Sequence, residues 1–424
     1  MKLEINNGRV VDQALNLDAV QTLFIADGKI AGIGVAPGGF TADKIIDATG
    51  KIVTAGLVDL SARLREPGFE HKATLESEML AAVTGGVTSL VCPPDTDPVL
   101  DEPGLVEMLK RRANALHQAH VYPLGALTLG LKGERLSEML ELTEAGCIGF
   151  FNANAPIPNT NTLYHAMQYA ATYGFTVWLR AEEAHLANHG VAHDGEVATR
   201  LGLAGIPVSA ETVMIATITI LMRETGARVH LARLSSRLGL DLVRAAKAEG
   251  LPLTCDVGIH HLLLTDRDIG YFDSQYRFAP PLRSPSDRDA LSRSVIDGTI
   301  DAICSDHTPH DADAKNMPFG EAMPGSTGLE LLLPLTLKWA TGAGVALPLA
   351  LQKISGNPAR LLGIAAGSLA IGQPADVCVF DPKAYWAVTA QTLRSQGKNS
   401  PYLQRELEGR VSHTVVGGRL VFQA

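Results

Sequence analysis

The chain has 424 residues, of which 46% are hydrophobic and 19% are charged. This apolar content excludes a disordered protein, which combines few apolar residues with high charge. Lys and Arg total 36 against 45 Asp and Glu, so the net charge is −9, which disfavours a general nucleic-acid binder. The length allows one large domain or two to three ordinary ones.

The five cysteines are widely spaced and no C-x-x-C motif occurs. This pattern is typical of reduced thiols and not of a disulfide framework or a zinc knuckle. The N-terminal segment MKLEINNGRVVD lacks the apolar core of a signal peptide. No window approaches the ~18 apolar residues of a membrane span. We therefore expect a cytoplasmic protein with neither a membrane nor a nucleic acid as partner.

Both ends of the chain are predicted to be β-rich. Residues 1–55 alternate apolar and polar types in short bursts separated by Asn-Gly, Asp-Gly and Thr-Gly, as in antiparallel hairpins. The same style returns within 356–424 in DVCVFDP, YWAVT and SHTVVGGRLVF. We expect the two ends to form one small composite β-sandwich domain. Its predicted hairpin contains Gly32, Gly34 and Gly38 without a following helix, which argues against a dinucleotide fingerprint.

The middle of the chain, residues 56–355, alternates strand and helix patterns. Stretches with helical periodicity, such as ESEMLAAVT and LVEMLKRRANAL, separate most of its short apolar runs. The eight apolar runs are 56–64, 87–95, 119–127, 147–153, 175–183, 228–236, 251–261 and 300–310. This repetition predicts an α/β fold, a (β/α)8 TIM barrel. Polar residues gather at the C-terminal end of nearly every run, the face that carries the active site in such barrels.

Three segments stand out at these strand ends: DLSARLREPGFEHK (59–72), CPPDTDP (92–98) and CSDHTPH (304–310). Together with HLARLSS, DVGIHHLLLT, APPLR and SGNPARLLG, they resemble dihydroorotase of the amidohydrolase superfamily. Nearly the whole chain follows the family pattern in order. The resemblance implies a metallo-hydrolase barrel with a composite β domain. It also implies zinc, which polarises the carbonyl of a cyclic amide and lowers the pKa of a bound water to about neutral.

The metal-ligand positions that the resemblance implies have lost most of their ligands. The family has H-x-H after strand one, lysine or aspartate after strand four, histidines after strands five and six, and aspartate after strand eight. Thirteen histidines occur here, but no H-x-H pair. The residues at the six positions are Ser61, Arg63, Asn152, Arg180, Arg233 and Asp306. Of these only Asp306, which also matches the family's general base, is kept. His230, the first histidine of H-x-x-H, is retained nearby.

Three of the replacements are arginines, which changes the chemistry expected of the site. A guanidinium has no lone pair to donate and stays protonated, and three of them would repel a dication. We therefore expect no metal and no other cofactor, with zinc as the alternative if the site is rebuilt. We also expect Arg63, Arg180 and Arg233 to form ion pairs with carboxylates such as Asp306 and Asp95, because a buried carboxylate left alone is costly.

The positions that contact substrate in the family are mixed. Arg65 matches the family's carboxylate-binding arginine, and His310 and Gly325 are kept near the substrate side. Asp95 and Ala279 replace two family asparagines. An ionised Asp95 would repel the carboxylate that Arg65 binds in the family.

Other histidines offer rival metal sites. His185, His189 and His193 have helical spacing, but Gly190 interrupts that helix, and the family has a loop there. The segment HTPH (307–310) matches a substrate-side loop of the family. A metal is disfavoured at both places.

The adjacent His260 and His261 are expected to be hydrogen-bonded histidines of the barrel.

The favoured hypothesis is a catalytically inactive dihydroorotase homologue. Inactive chains of this kind assemble with aspartate transcarbamoylase in pyrimidine synthesis, so the resemblance implies a structural partner of that enzyme and a homo-oligomer within a larger complex. One alternative is a cyclic-amide hydrolase that uses Asp306 in a rebuilt or metal-free site. A nucleophilic Ser61 lacks an evident adjacent base. A third hypothesis is a sensor whose arginine-rich pocket holds an anion.

Overall fold

The computed structural model describes all residues from Met1 to Ala424. The chain opens with five strands: β1 (Leu3–Asp12), β2 (Leu17–Ala26), β3 (Lys29–Ile33), β4 (Lys44–Asp47) and β5 (Ile52–Ala55). β1, β2 and β3 are antiparallel neighbours, and β4 and β5 pair parallel to β1. Asp27 and Gly28 connect β2 to β3 with φ angles of 52° and 74°. Two positive φ angles are what a tight hairpin turn requires, which explains the Asp-Gly signal.

The barrel strands follow at all eight predicted places. In chain order the next strands are β6 (Leu57–Asp59), β7 (Val87–Cys92), β8 (His120–Pro123), β9 (Gly125–Ala126), β10 (Phe150–Phe151), β11 (Thr176–Leu179), β12 (Ala192–His193), β13 (Gly205–Ile206), β14 (Arg228–Leu231), β15 (Leu253–Gly258) and β16 (Ala302–Cys304). β8 and β9 share one predicted run, and β12 and β13 form a separate parallel pair. Successive barrel strands are parallel, and a bridge between Ala62 and His307 joins the first to the last.

The helices cover the barrel from outside. They are α1 (Leu75–Thr84), α2 (Pro103–Ala115), α3 (Met139–Ala145), α4 (Thr160–Tyr173), α5 (Ala184–Ala187), α6 (Glu196–Leu201), α7 (Val208–Thr225), α8 (Arg237–Ala248), α9 (Pro285–Ile296), α10 (Leu332–Ala343), α11 (Leu347–Gln352) and α12 (Gly356–Leu362). Thr74 begins α1 with a capping box, and Ser236 caps α8 through the backbone N–H of Gly239. These caps satisfy backbone donors that a helix start leaves free. None of the helices has the length and apolar character needed to span a membrane.

The chain ends in three strands, β17 (Val377–Ala387), β18 (Glu406–Val416) and β19 (Arg419–Gln423). β17 pairs antiparallel with β5, so both termini join one sheet in the order β19-β18-β17-β5-β1-β2-β3, with β4 beside β1. The predicted fold class, a TIM barrel with a composite β domain, is confirmed.

The two central strands of the sheet have two buried faces. Val53 of β5 and Val379 of β17 belong to the core of the β domain. Ile52 and Phe380, their neighbours in sequence, belong to the barrel core. Successive side chains of a strand point to opposite faces, so these two strands attach the β domain to the barrel.

The segment between β17 and β18 reaches across to the C-terminal end of the barrel. The Asn399 side chain accepts a hydrogen bond from the His310 backbone N–H at 2.8 Å and donates to the carbonyls of Thr308 (3.0 Å) and Gly325 (3.1 Å). One buried amide therefore fixes two loops that follow β16.

The close approach of α1 to the segment before α10 provides a stability test. A Cβ on Gly85 would lie 2.4 Å from the carbonyl oxygen of Leu329. We expect Gly85→Ala to lower the free energy of unfolding by about 1–3 kcal/mol, because the backbone has to move. Gly342→Ala is the matched control: the helical Gly342 has no atom within 4 Å of such a Cβ, so stability should be unchanged or rise by up to about 1 kcal/mol. Urea denaturation measures both, and equal effects would contradict the packing.

Candidate functional site

The side chains singled out from the sequence follow the barrel strands at one end. Ser61, Arg63 and Arg65 come after β6, and Asp95 comes after β7. The remaining strand-end residues are Asn152 after β10, Arg180 after β11, Arg233 after β14 and Asp306 after β16. The C-terminal ends of barrel strands converge on one face, so residues far apart in sequence meet there.

Asp306 lies at the centre of this site. Its Oδ1 accepts a hydrogen bond from Arg233 Nη1 at 2.8 Å and is 3.7 Å from Arg63 Nη1. The three side chains are 2–4% exposed. The ion pairs expected for Asp306 are therefore present. Arg65, Arg233 and Asp306 also have positive φ angles of 64°, 59° and 49°, a backbone conformation that is uncommon for residues other than glycine and that concentrates at functional sites.

Arg63 joins two carboxylates. Its Nε donates to Asp95 Oδ2 at 2.7 Å, and its Nη1 donates to Thr308 Oγ1 at 3.1 Å. Burial raises the pKa of Asp95, but the nearby guanidiniums of Arg63 and Arg65 outweigh it and hold the pKa below its usual range. Asp95 is thus an ionised partner of Arg63, as expected.

Arg180 has a different partner from those named in the sequence prediction. It forms an ion pair with Glu182 and with neither Asp306 nor Asp95. Residues two apart in an extended segment point to the same side, so Glu182 reaches the guanidinium first. The segment RAEE carried this signal, which the sequence analysis missed.

The retained His230 belongs to a buried network with the next strand. Its Nε2 is 2.9 Å from Asp256 Oδ2, and its Nδ1 is 2.9 Å from Thr254 Oγ1. Asp256 Oδ1 accepts from the backbone N–H of Arg233 at 2.8 Å. Asp256 therefore orients both His230 and the Arg233 turn. The sequence analysis did not assign this residue, although its segment DVGIHH is part of the resemblance.

Asn152 and Ser61 form hydrogen bonds with residues at neighbouring strand ends. Asn152 Oδ1 accepts from the backbone N–H (3.2 Å) and hydroxyl (2.9 Å) of Thr128, so the amide faces the loop after β9. The Ser61 carbonyl accepts from the backbone N–H of His307 at 3.0 Å and so helps to close the barrel.

The substrate-side residues are also held by internal contacts. Arg65 Nε donates to the carbonyl of Pro309 at 2.9 Å, and its Nη2 is 3.3 Å from His310 Nε2. Burial lowers the pKa of Arg65 to about 10 and that of His310 to about 2, so His310 is neutral. Ala279 contributes a carbonyl, which accepts from Arg233 Nη1 at 3.2 Å.

Gly325 is required by packing. Its φ is 118°, and a Cβ there would lie 2.5 Å from the Thr308 side chain.

The expectation that both adjacent histidines are hydrogen-bonded is confirmed for His261 and wrong for His260. His261 Nε2 is 3.1 Å from the carbonyl of Pro280, whereas both ring nitrogens of His260 lack a hydrogen-bond partner. The His260 ring packs against the rings of Phe278 and Tyr402, at centroid distances of 4.9 and 5.7 Å. His260 therefore lies in an aromatic slot and not in the expected polar surroundings. Tyr402, from the C-terminal segment, forms one wall of this slot.

The histidines with helical spacing are separated, as Gly190 suggested. α5 ends at Ala187, Asn188 and His189 have positive φ, and His193 lies on β12. The repeat of His185, His189 and His193 therefore does not share one helix.

The residues at the family's metal positions do not fit zinc. Two guanidiniums approach Asp306 Oδ1, and Arg180 is near enough to Arg233 and Asp306 to interact electrostatically. Guanidiniums cannot ligate a cation. No group of three or more His, Cys, Asp or Glu side chains in the structure is arranged to hold a metal ion. We derive no metal-dependent step from this arrangement.

The central ion pair can be tested by removing one partner. We expect Arg233→Met to lower the free energy of unfolding by about 3–5 kcal/mol, because Asp306 stays buried with only the more distant Arg63. Arg223→Met is the control: Arg223 pairs with Glu249 at the surface, where loss of the pair costs about 1 kcal/mol or less. Guanidinium chloride denaturation compares the variants. Similar losses for both would contradict a central role for the buried pair.

The slot around His260 predicts a pH dependence. Burial lowers the pKa of His260 from 6.5 to about 3. Between these values the unfolded chain binds a proton that the folded chain does not, so stability falls as pH drops below 6.5. We expect His260→Phe to remove about 1.4 kcal/mol per pH unit from that slope.

The measurement is urea denaturation at several pH values between 6 and 4. The same substitution at the exposed His165 is the control and should leave the slope unchanged. An unaltered slope in His260→Phe would refute a neutral, buried His260.

Comparison with known proteins agrees with this fold. Residues 50–238 match the family model described as Dihydro-orotase-like, and residues 339–422 match that of the Amidohydrolase family. The L-hydantoinase (dihydropyrimidinase) from Arthrobacter aurescens has the same fold, with a TM-score of 0.88 and 24% identity over 99% of this chain and 96% of that chain.

Two curated relatives match along their full length. The dihydroorotase-like protein of Pseudomonas aeruginosa is 45% identical over 423 residues, which cover 100% of both chains. The dihydroorotase of Geobacter sp. (strain M21) is 40% identical over 427 residues, again covering 100% of both chains. With this identity over the whole length, the chain belongs to the dihydroorotase-like family of amidohydrolases.

Proposed function

We propose that this chain is a catalytically inactive dihydroorotase homologue that serves as a structural partner of aspartate transcarbamoylase in pyrimidine biosynthesis. The observation that carries the proposal is the environment of Asp306. This carboxylate, which matches the family's general base, is buried against Arg233 and Arg63. Arginine stands where the family supplies metal ligands, so these side chains neither hold a metal-bound water nor leave the carboxylate free to serve one.

The intact scaffold supports a structural role. The barrel and the sheet formed by both termini are complete, and a buried amide, Asn399, secures the loops at the former catalytic face. A chain that keeps its fold while its site changes can be retained for its surface. About 800 Å² per partner suffices for a specific protein interface.

The names of the relatives are compatible with a family that contains both dihydroorotases and dihydroorotase-like proteins. The proteins of Pseudomonas aeruginosa and Pseudomonas putida that are 45% and 44% identical to this chain are named dihydroorotase-like protein. The relative from Geobacter sp., at 40% identity, is named dihydroorotase.

Co-expression with the aspartate transcarbamoylase of the same organism tests the proposal. We expect the two chains to co-elute as one large complex, and we expect the transcarbamoylase to lose assembly or activity when this chain is omitted. Size-exclusion chromatography with light scattering and a carbamoyl-transfer assay measure both. A transcarbamoylase that assembles and works equally well alone would refute the structural role.

A second arm of this experiment tests inactivity. The purified chain, incubated with zinc and dialysed, should hydrolyse no dihydroorotate above background, and the matched variant Ser61→His/Arg63→His/Arg180→His/Arg233→His should bind more zinc than the parent chain. Stoichiometric zinc in the parent chain, together with chelator-sensitive hydrolysis, would refute the proposal.

A further inference from the structure

A pocket opens next to the ion-paired arginines at the barrel face. Its volume is about 320 Å³, which falls within the range of small-molecule sites. Arg180 and Glu182 line it from the end of β11, and Arg277 lines it from the loop after β15. Phe278, Val191 and Ile206 contribute apolar walls. The pocket thus combines charged groups with an apolar surface, as ligand sites do.

Arg180 lines this pocket with a guanidinium that pairs with only one carboxylate. Its side chain is 10% exposed, and its ion pair with Glu182 uses Nη2. Its Nε is buried without any hydrogen-bond partner. A buried donor without an acceptor loses its hydration and gains nothing in return, particularly on a charged group. Arg63 Nη2 and Arg233 Nε are unsatisfied in the same way, so what sets Arg180 apart is that it lines the pocket.

Arg277 brings a second guanidinium that lacks a carboxylate. Its side chain donates from Nη1 to the carbonyl of Ala322, and it takes part in no ion pair, unlike Arg63 and Arg233. Burial lowers the pKa of Arg277, which reflects a cation without a nearby countercharge. Two guanidiniums and the single carboxylate of Glu182 leave one positive charge uncompensated on the pocket wall.

We propose that this pocket binds a small organic anion, a carboxylate or a phosphate monoester, whose charged group contacts Arg180 and Arg277 and whose apolar body packs against Phe278 and Ile206. Guanidinium groups suit both kinds of head group because their N–H donors match two oxygens at once. The inference rests on the proposed function, since Arg180 is available to an anion only where a metal ligand has been lost.

Calorimetric titration of the full chain at low salt tests the proposal. The probes are benzoate and phenyl phosphate, which join an anionic head to an apolar ring. Benzamide is the neutral control, and acetate is an anion without the ring. We expect benzoate, phenyl phosphate or both to bind with one-to-one stoichiometry and more tightly than benzamide and acetate. Equal heats for benzoate, phenyl phosphate and benzamide would overturn the proposal.

Variants locate the site. Arg277→Gln removes one charge at the pocket and should weaken binding by about tenfold or more. Arg180→Lys keeps a cation beside Glu182, and hence the fold, but loses the planar donor group and should also weaken binding. Arg200→Gln, at an exposed position on α6, is the matched control and should change nothing.

Arg65→Gln separates this pocket from the family's carboxylate position. Binding should persist in Arg65→Gln, because Arg65 contacts Pro309 and His310 and does not line the pocket. If Arg65→Gln abolished binding while Arg277→Gln did not, the anion would occupy the family's own position and the inference would fall. This titration involves neither the transcarbamoylase nor zinc, so its failure is distinct from failure of the proposed function.

Discussion

The buried ion pair between Asp306 and Arg233 is the interaction on which the C-terminal face of this barrel depends. A carboxylate with almost no contact to solvent is stable only with a close countercharge and further hydrogen bonds. Arg233 provides both, with Nη1 at 2.8 Å from Asp306 and Nη2 at 2.7 Å from Asn154. Arg63 then ties the same carboxylate to Asp95. Guanidiniums thus connect the ends of β6, β7, β14 and β16.

Buried hydrogen bonds outside this ion pair also hold the loops of the same face in place. Glu78 and His307, both fully buried, lie 2.6 Å apart and connect α1 to the loop after β16. Glu78 also accepts from the backbone N–H of Gln396 at 3.0 Å. Asn399 adds further hydrogen bonds from the same segment. Charges and amides from three distant parts of the chain therefore hold the loops at this face.

The arginines at this face of the barrel have different partners. Arg63 and Arg233 pair with Asp95 and Asp306 and are structural, whereas Arg277 has no carboxylate partner and lines a pocket together with Arg180. Arg180 and Arg277 together give this pocket a positively charged wall beside an apolar one.

The sequence by itself determined the barrel, the composite β domain and the family, because these follow from local periodicity, turn residues and ordered motifs. It also predicted that Arg63, Arg180 and Arg233 pair with carboxylates such as Asp306 and Asp95, because strand ends of a barrel converge and buried opposite charges pair. Only the tertiary structure decided which carboxylate Arg180 meets, that Tyr402 and Phe278 pack against His260, and that Arg277 lines a pocket with Arg180. These outcomes depend on the exact paths of loops and of the C-terminal segment, which bring together side chains up to about 140 residues apart that share no local pattern.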